Sequence, residues 1–380
     1  MLLWLSAWVL AFTAVCAFDT LGGIRRLGSL TEVLPVVPSP APLVTVVVPA
    51  RNEAHTIEPA LRSILALEYA PLEVVVVDDR SDDATGEIID RLSNDFPSLR
   101  VVHVRSLPEG WLGKNHALHV GAGDARGEYL LFSDADVHYH PSALQRSVAF
   151  CLARGLDHLT VIPDFPVRSP FLQSGSVGGL LGLLMLFRPW KARETGRHGL
   201  GIGAFNMVRT EAYRRAGGHA AIAMDVIDDI ELGRLMGEHG RQDLLFANGM
   251  VSVEIYSTVM EMFRGVQKNV FAFLRFDVWV LIAATLATLL LQIWPWIGLF
   301  ATEGPARWLN VSSVALMMGM HAALAERFRY SQAFLLLLPF NGFVTIALFW
   351  QVAIATWIRG GIVWRGTLYP LAELKRRRRR

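Results

Sequence analysis

From Met1 to Phe18 the sequence carries no charged side chain. At about 1.5 Å of rise per residue, such a run is just long enough to span the hydrocarbon core of a bilayer. A cleaved export signal places positive charge ahead of its apolar run, whereas Arg25 and Arg26 follow this one. Residues 1–18 therefore read as an uncleaved anchor whose C-terminal end is cytoplasmic, by the positive-inside tendency. Long apolar stretches return at Val278–Ala301, Trp308–Ala325 and Gln332–Ile358, the last interrupted by Pro339 and Gly342. They are apolar all round rather than along one stripe, so 278–358 is expected to be a membrane region.

The composition agrees. With 52% hydrophobic and 18% charged residues, the chain is too apolar for an ordinary soluble protein or a disordered one. Two cysteines, Cys16 and Cys151, exclude a disulfide framework and a cysteine-based zinc site. The net charge is +2, yet Lys375–Arg380 alone carries +6, which leaves −4 for the rest. That balance predicts no nucleic-acid partner and a basic tail over 359–380 lying on an anionic membrane surface. Four crossing segments would strand this tail on the far side from the end of the anchor. A re-entrant last segment, turning at Pro339–Gly342, removes the conflict, and its course stays open on sequence alone.

A linker over 19–42, with the Pro-rich run Pro35–Pro42, leads into a region of different character over 43–256. Five short β-branched runs recur there: Val44–Val48, Glu73–Asp78, Arg100–Val104, Tyr129–Ser133 and Leu159–Ile162. Helix-period stretches separate them at Ile57–Leu67, Asp83–Ser93, Asn115–Ala122 and Pro141–Arg154. This alternation predicts an α/β fold with a mostly parallel sheet, whose ligands bind at the carboxyl ends of the strands.

Those ends are where carboxylates gather. The first reads Pro49-Ala50-Arg51-Asn52-Glu53, the second runs from Asp78 to Thr85, and the fourth is Ser133-Asp134-Ala135-Asp136. Clustered like charges repel, so stability does not explain them. Asp82 and Asp83 have an equally good reading as caps of the following helix. Asp79, Asp134 and Asp136 suit a nucleoside diphosphate bound through Mg²⁺ or Mn²⁺, since hard cations take one or two carboxylates plus phosphate oxygens. Arg51 and Lys114 add positive charge for the phosphates.

Taken together, Val44–Glu53, Val74–Thr85, Gly113–Pro141, Gly203–His219 and Asp228–Met236 resemble, in order, the family 2 glycosyltransferases of the GT-A fold. The resemblance covers roughly residues 43–270 and implies inverting, metal-dependent sugar transfer from a nucleoside-diphosphate sugar, usually a UDP-sugar. It implies that Pro49, Arg51, Glu53, Asp79 and Lys114 meet the nucleotide sugar, with Asp79 at the base. Asp136 falls on a metal ligand and Asp134 on a ligand of the metal or the donor sugar. Asp229 falls on the general base, with Asp228 its neighbour, although a helix cap is the plain alternative for the pair.

The loop Leu107–Lys114 is similar to the subgroup associated with hopanoid and carotenoid glycosylation, which points to a membrane lipid as acceptor. Gly361–Tyr369 is similar to a stretch these membrane enzymes place at the cytoplasmic interface. Trp111 has two even readings, one over the donor or acceptor and one in the membrane interface. The Q-x-x-R-W motif of processive polysaccharide synthases is absent from Met262–Asn269, which favours single transfer over polymerisation. A scaffold that binds nucleotide without turnover is the reading from another class, and the intact Asp79, Asp134, Asp136 and Asp229 count against it. Pro170–Trp190 is apolar but glycine-rich and is expected to be interfacial or to line the acceptor, as is the amphipathic helix over 257–277. The expected location is a bacterial cytoplasmic membrane, with the catalytic domain in the cytosol.

Overall fold

In the computed structural model the uncharged N-terminal run is one helix, α1 (Leu2–Arg26), which continues past Phe18 and ends on Arg25 and Arg26. Cations in the last turn complement the helix dipole, which lets the helix run on into the expected linker. The structure describes residues 1–192, 198–254, 256, 258–265, 267–364 and 367–377. Val266, Arg365, Gly366 and the last three arginines of the basic tail lie outside the described residues.

The chain divides into two compact units. One, residues 27–166 and 189–254, carries the sheet. Its elements begin with β1 (Val44–Ala50), α2 (Ile57–Leu65), β2 (Leu72–Asp79), α3 (Thr85–Asp95), β3 (Leu99–Val104) and α4 (Gly113–Gly123). They continue with β4 (Tyr129–Phe132), β5 (Val137–Tyr139), α5 (Ala143–Arg154) and β6 (His158–Ile162). An excursion through α6 (Pro170–Phe187) belongs to the other unit, and β7 (Asn206–Arg209), α7 (Asp228–His239), β8 (Gln242–Phe246) and β9 (Val251–Val253) complete the sheet unit.

The seven-stranded sheet has the order β3-β2-β1-β4-β7-β6-β8. All pairings are parallel except those of β7, which runs against both β4 and β6. Period-two alternation in the valine-rich strands supplies both faces. Val46, Val48, Val74 and Val76 meet the helices α2, α3 and α5, whereas Val47, Val75 and Val77 face the side of α4 and α7. Each such side chain, removed from water, contributes roughly 1.5–3 kcal/mol.

The five expected strands form, and β5, β7, β8 and β9 were not foreseen. In register, β7 sets Asn206 opposite Phe132, so the chain enters this strand at the edge where β1, β2 and β4 end.

The other unit holds residues 1–26, 167–188 and 255–380. It contains α8 (Val278–Thr288), a π-helical turn over Leu289–Ile293, α9 (Trp294–Ala301), α10 (Gly304–Arg327) and α11 (Leu338–Arg359). Asp277 caps α8 by accepting the Trp279 and Val280 amides. Among the described residues, five helical spans are long and apolar enough to cross a membrane, including Pro170–Lys191. The glycines of α6 do not break it, because Leu172, Val177, Leu180, Leu181 and Leu184 bury the opposite side. The expected interfacial segment is thus a full helix packed within the apolar unit.

Contacts fix the helix directions. Asn310 donates to the Ser6 hydroxyl at 2.9 Å and Arg327 donates to the Ile24 carbonyl at 3.1 Å, so α1 and α10 run parallel. Gly298 lies against Asn310, so α9 and α10 run antiparallel. Trp350 donates to Thr285 at 3.2 Å and Gly342 lies against Ile293, so α11 runs back along α8 and the π-helical turn. The ends of α1, α10 and α11 therefore share one end of the block, where Arg25, Arg26, Arg327, Arg329 and Arg359 gather. Residues 328–359 enter and leave by that end. The first limb holds a 3₁₀ segment, Gln332–Leu337, that at roughly 2 Å per residue is far too short to span a bilayer.

Single-cysteine labelling of the membrane-inserted, otherwise cysteine-free chain tests this course. Cysteines replacing Arg26, Arg329 and Glu373 are expected to react from one side and a cysteine replacing Glu303 from the other. Reaction of positions 329 and 373 from opposite sides would show that the segment crosses.

Candidate active site

The first two strand ends are laced into one platform. Asn52 and Arg80 both take left-handed backbone, which turns each loop sharply out of its strand. The Asn52 amide donates to the Ser81 hydroxyl at 3.1 Å, and the Asp82 amide donates to the Asn52 side chain at 3.0 Å. The Glu53 amide donates to Thr85 at 2.8 Å and the Ala54 amide to Asp83 at 3.2 Å. Asp83 also accepts the Thr85 amide and hydroxyl, so it serves helix start and loop clasp together. Asp78 is structural as well. It accepts the Ser81 amide and pairs with His103, whose pKa is raised by its hydrogen bonds to Asp78 and Asp90.

Asp79 is only 3% exposed. Arg80 grips it with Nε at 2.7 Å and Nη2 at 2.9 Å, and Arg51 stands 3.9 Å away. Gly113 presses against the same carboxylate, leaving no room for a Cβ. Pro49 lies within β1, opposite Val77 of β2. Trp111 folds back onto α4, its ring 5.5 Å from that of His116 and 4.8 Å from that of His119.

The remaining carboxylates converge on Lys114, in the first turn of α4. Its Nζ lies 2.7 Å from Asp134 and 3.2 Å from Asp228. Burial opposes the charge of this ammonium, but Asp134, Asp228 and Asp229 outweigh it and raise its pKa well above the ordinary lysine range. Burial, reinforced by Asp134 and Glu53, pushes the Asp136 carboxyl up to about 6. Burial also raises the pKa of Asp229, with Asp228 beside it adding to the effect and Lys114 opposing it. Neither Asp228 nor Asp229 caps α7 from outside. Both stand in its first turn, where Asp229 accepts the Ile230 amide at 2.9 Å.

Two features that the sequence reading passed over hold this cluster in place. The first is the glycine series Gly199, Gly201 and Gly203. Gly199 and Gly201 press on the backbone of α7 at Gly233 and Asp229, too close for any side chain. Gly203 then donates its amide to Asp229 at 2.9 Å and accepts the Asp134 amide at 3.1 Å, tying both carboxylate loops through one residue. The second is Asn115, fully buried, whose amide nitrogen donates to the Ile222, Ala223 and Asp225 carbonyls. It fastens the segment before Asp228 to the helix that carries Lys114. The alternating glycines were a readable signal; Asn115 had none.

Residues 45–214 match the family model described as glycosyl transferase family 2. Over that stretch the chain is similar to the family 2 glycosyltransferases. It is 26% identical over 197 residues to the 4,4'-diaponeurosporenoate glycosyltransferase of Staphylococcus haemolyticus (strain JCSC1435), covering 50% of each chain. A shorter stretch of 97 residues is 34% identical to the probable glycosyltransferase YdaM of Bacillus subtilis (strain 168), covering 25% of this chain and 23% of that one. The chain thus spans about half the length or less of the curated relatives it matches.

Among solved structures, the mannosyltransferase PcManGT from Pyrobaculum calidifontis, in complex with GDP-Man and Mn²⁺, superposes with a TM-score of 0.54 at 20% identity. The match covers 94% of this chain and 98% of that one, and it shows the shared GT-A fold.

The role of Gly203 is open to a direct test. A Cβ there would stand 2.5 Å from the Asp134 carboxylate and 3.3 Å from Lys114 Nζ, whereas one at Gly123 would meet nothing. Gly203→Ala is expected to cost roughly 1–3 kcal/mol of stability through overpacking. It should also weaken nucleotide binding, whereas Gly123→Ala should change neither thermal melting nor nucleotide affinity.

Proposed function

We propose that the chain is a membrane-seated, inverting glycosyltransferase that moves a single sugar from a nucleoside-diphosphate sugar, a UDP-sugar by preference, to a lipid hydroxyl. The observation that carries the reading is the cluster of Asp134, Asp136, Asp228 and Asp229 around Lys114 at the carboxyl end of the sheet. Asp229 is the group suited to act as base. Its Oδ2 is fixed by the Gly203 amide, and its raised pKa gives it more affinity for a proton than an ordinary carboxylate has. It takes the acceptor's proton while the acceptor oxygen attacks the anomeric carbon opposite the departing diphosphate, which inverts that centre.

The residues fit a divalent cation. Asp136 is half-buried and destabilised as an anion by Asp134 and Glu53, a charge imbalance that a bound cation relieves. Among the described residues no three side chains close on a metal by themselves, so Asp134 and Asp136 would share the ion with diphosphate oxygens and water. Bound there, Mg²⁺ or Mn²⁺ supplies charge neutralisation for the leaving diphosphate. Arg51, Glu53, Asp79, Arg80 and Lys114 surround the place for the nucleotide end.

For the acceptor, the support is the five long apolar helices together with staphylococcal relatives named for 4,4'-diaponeurosporenoate. A carotenoid, hopanoid or polyprenoid fits that setting. The arginines at one end of the apolar unit support the reading that this end faces the cytoplasm of a bacterial cell, by the positive-inside tendency.

The test uses the full chain in lipid nanodiscs with Mn²⁺ and UDP-sugars. Asp136→Ala is expected to abolish metal-dependent donor binding. Asp229→Asn should keep that binding and lose turnover by about 10²–10⁴-fold. Near-full activity of Asp229→Asn would remove Asp229 from the base role. In the wild type, kcat/KM should fall as pH drops through a pKa above the ordinary aspartate value, because the raised pKa protonates the base sooner. An acid limb at or below the ordinary value would contradict the assignment.

A further inference from the structure

Lys114 faces both halves of the reaction site, and the two ends of its ion pairs differ. The side chain of Asp134 is 38% exposed, that of Lys114 17% and that of Asp228 7%. The Asp134 contact therefore opens toward a ligand, and the Asp228 contact is closed. A lysine ammonium is a compact charge on a flexible four-carbon stem, able to exchange one anionic partner for another without rearranging the backbone. The backbone around it is not free to compensate. Gly203 ties Asp134 to Asp229, and Asn115 ties α4 to the segment before Asp228.

We propose that Lys114 is an internal counter-ion for this cluster. It neutralises Asp134 until the donor's diphosphate draws it away, and it keeps its hold on Asp228 throughout. The inference rests on the metal-dependent reading above. A free divalent cation must displace the ammonium to reach Asp134, whereas a cation arriving with a diphosphate offers Lys114 a new anionic partner. Cation and diphosphate accordingly bind together, and the arrival of donor is transmitted through Lys114 to the helix that carries Asp229. In the absence of donor, Lys114 also keeps the like charges of Asp134 and Asp228 from driving the two loops apart.

Mn²⁺ binding to the full chain in nanodiscs, followed by the electron paramagnetic resonance of free Mn²⁺ with and without UDP, tests the proposal. The wild type should bind Mn²⁺ weakly alone and tightly with UDP. Lys114→Gln and Lys114→Met should bind Mn²⁺ alone tighter by about tenfold or more and gain less from UDP. Neutral variants that bind Mn²⁺ alone no tighter than the wild type would overturn the proposal while leaving the metal-dependent reading intact. Failure of the wild type to bind Mn²⁺ even with UDP would overturn both. Where the neutral variants are unstable, Mn²⁺ alone should raise their melting temperature more than that of the wild type, and its failure to do so would also overturn the proposal.

Discussion

Carboxylates crowded at a partly buried sheet edge repel one another, and the ion pairs of Lys114 with Asp134 and Asp228 are what let them remain there. The arrangement works because Lys114 stands in the first turn of a helix that Asn115 locks in place, one residue further on. The carboxylates are brought to that lysine from sequence positions almost a hundred residues apart, and the antiparallel β7 makes this possible. By reversing direction it starts at the edge where the parallel strands finish. Gly203, just ahead of it, therefore passes over Asp134 before the chain goes on to Asp229.

Much of this was legible in the residues. The valine-rich runs announced β1 and β2 because strands buried on both faces need apolar side chains at every position, and paired aspartates marked the ends of β2 and β4. β7 and β8 were not legible. Asn206-Met-Val-Arg209 is too short to show a period, and Gln242-Asp243 opens β8 with polar residues that burial would ordinarily exclude. Their side chains are satisfied by partners distant in sequence, such as His158 at the side chain of Asn206, and no local pattern encodes those partners. Asp79 differs in another way. The family resemblance directs it to the nucleotide base, and the fold adds what a linear motif does not contain, the bidentate grip of Arg80.

The apolar unit shows the same division between local and distant information. Length and hydropathy were enough to mark its helices, but composition made α6 look too glycine-rich to be one of them. A helix whose opposite side packs against neighbours tolerates glycines on the side that does not. The return of residues 328–359 to the arginine-bearing end depends on contacts such as Trp350 with Thr285, which no hydropathy profile reports.

The pairing of α1 with α10 joins Ser6 to Asn310 across 304 positions. During synthesis at about 5–20 residues per second, α1 waits on the order of 15–60 s for that partner to be made. Throughout that interval the hydroxyls of Ser6, Thr13 and Thr20, buried in the finished protein, lie on a helix whose main neighbour does not yet exist. The nascent chain must therefore tolerate a half-finished apolar unit for most of its production, while the sheet that carries the clustered carboxylates is completed in between.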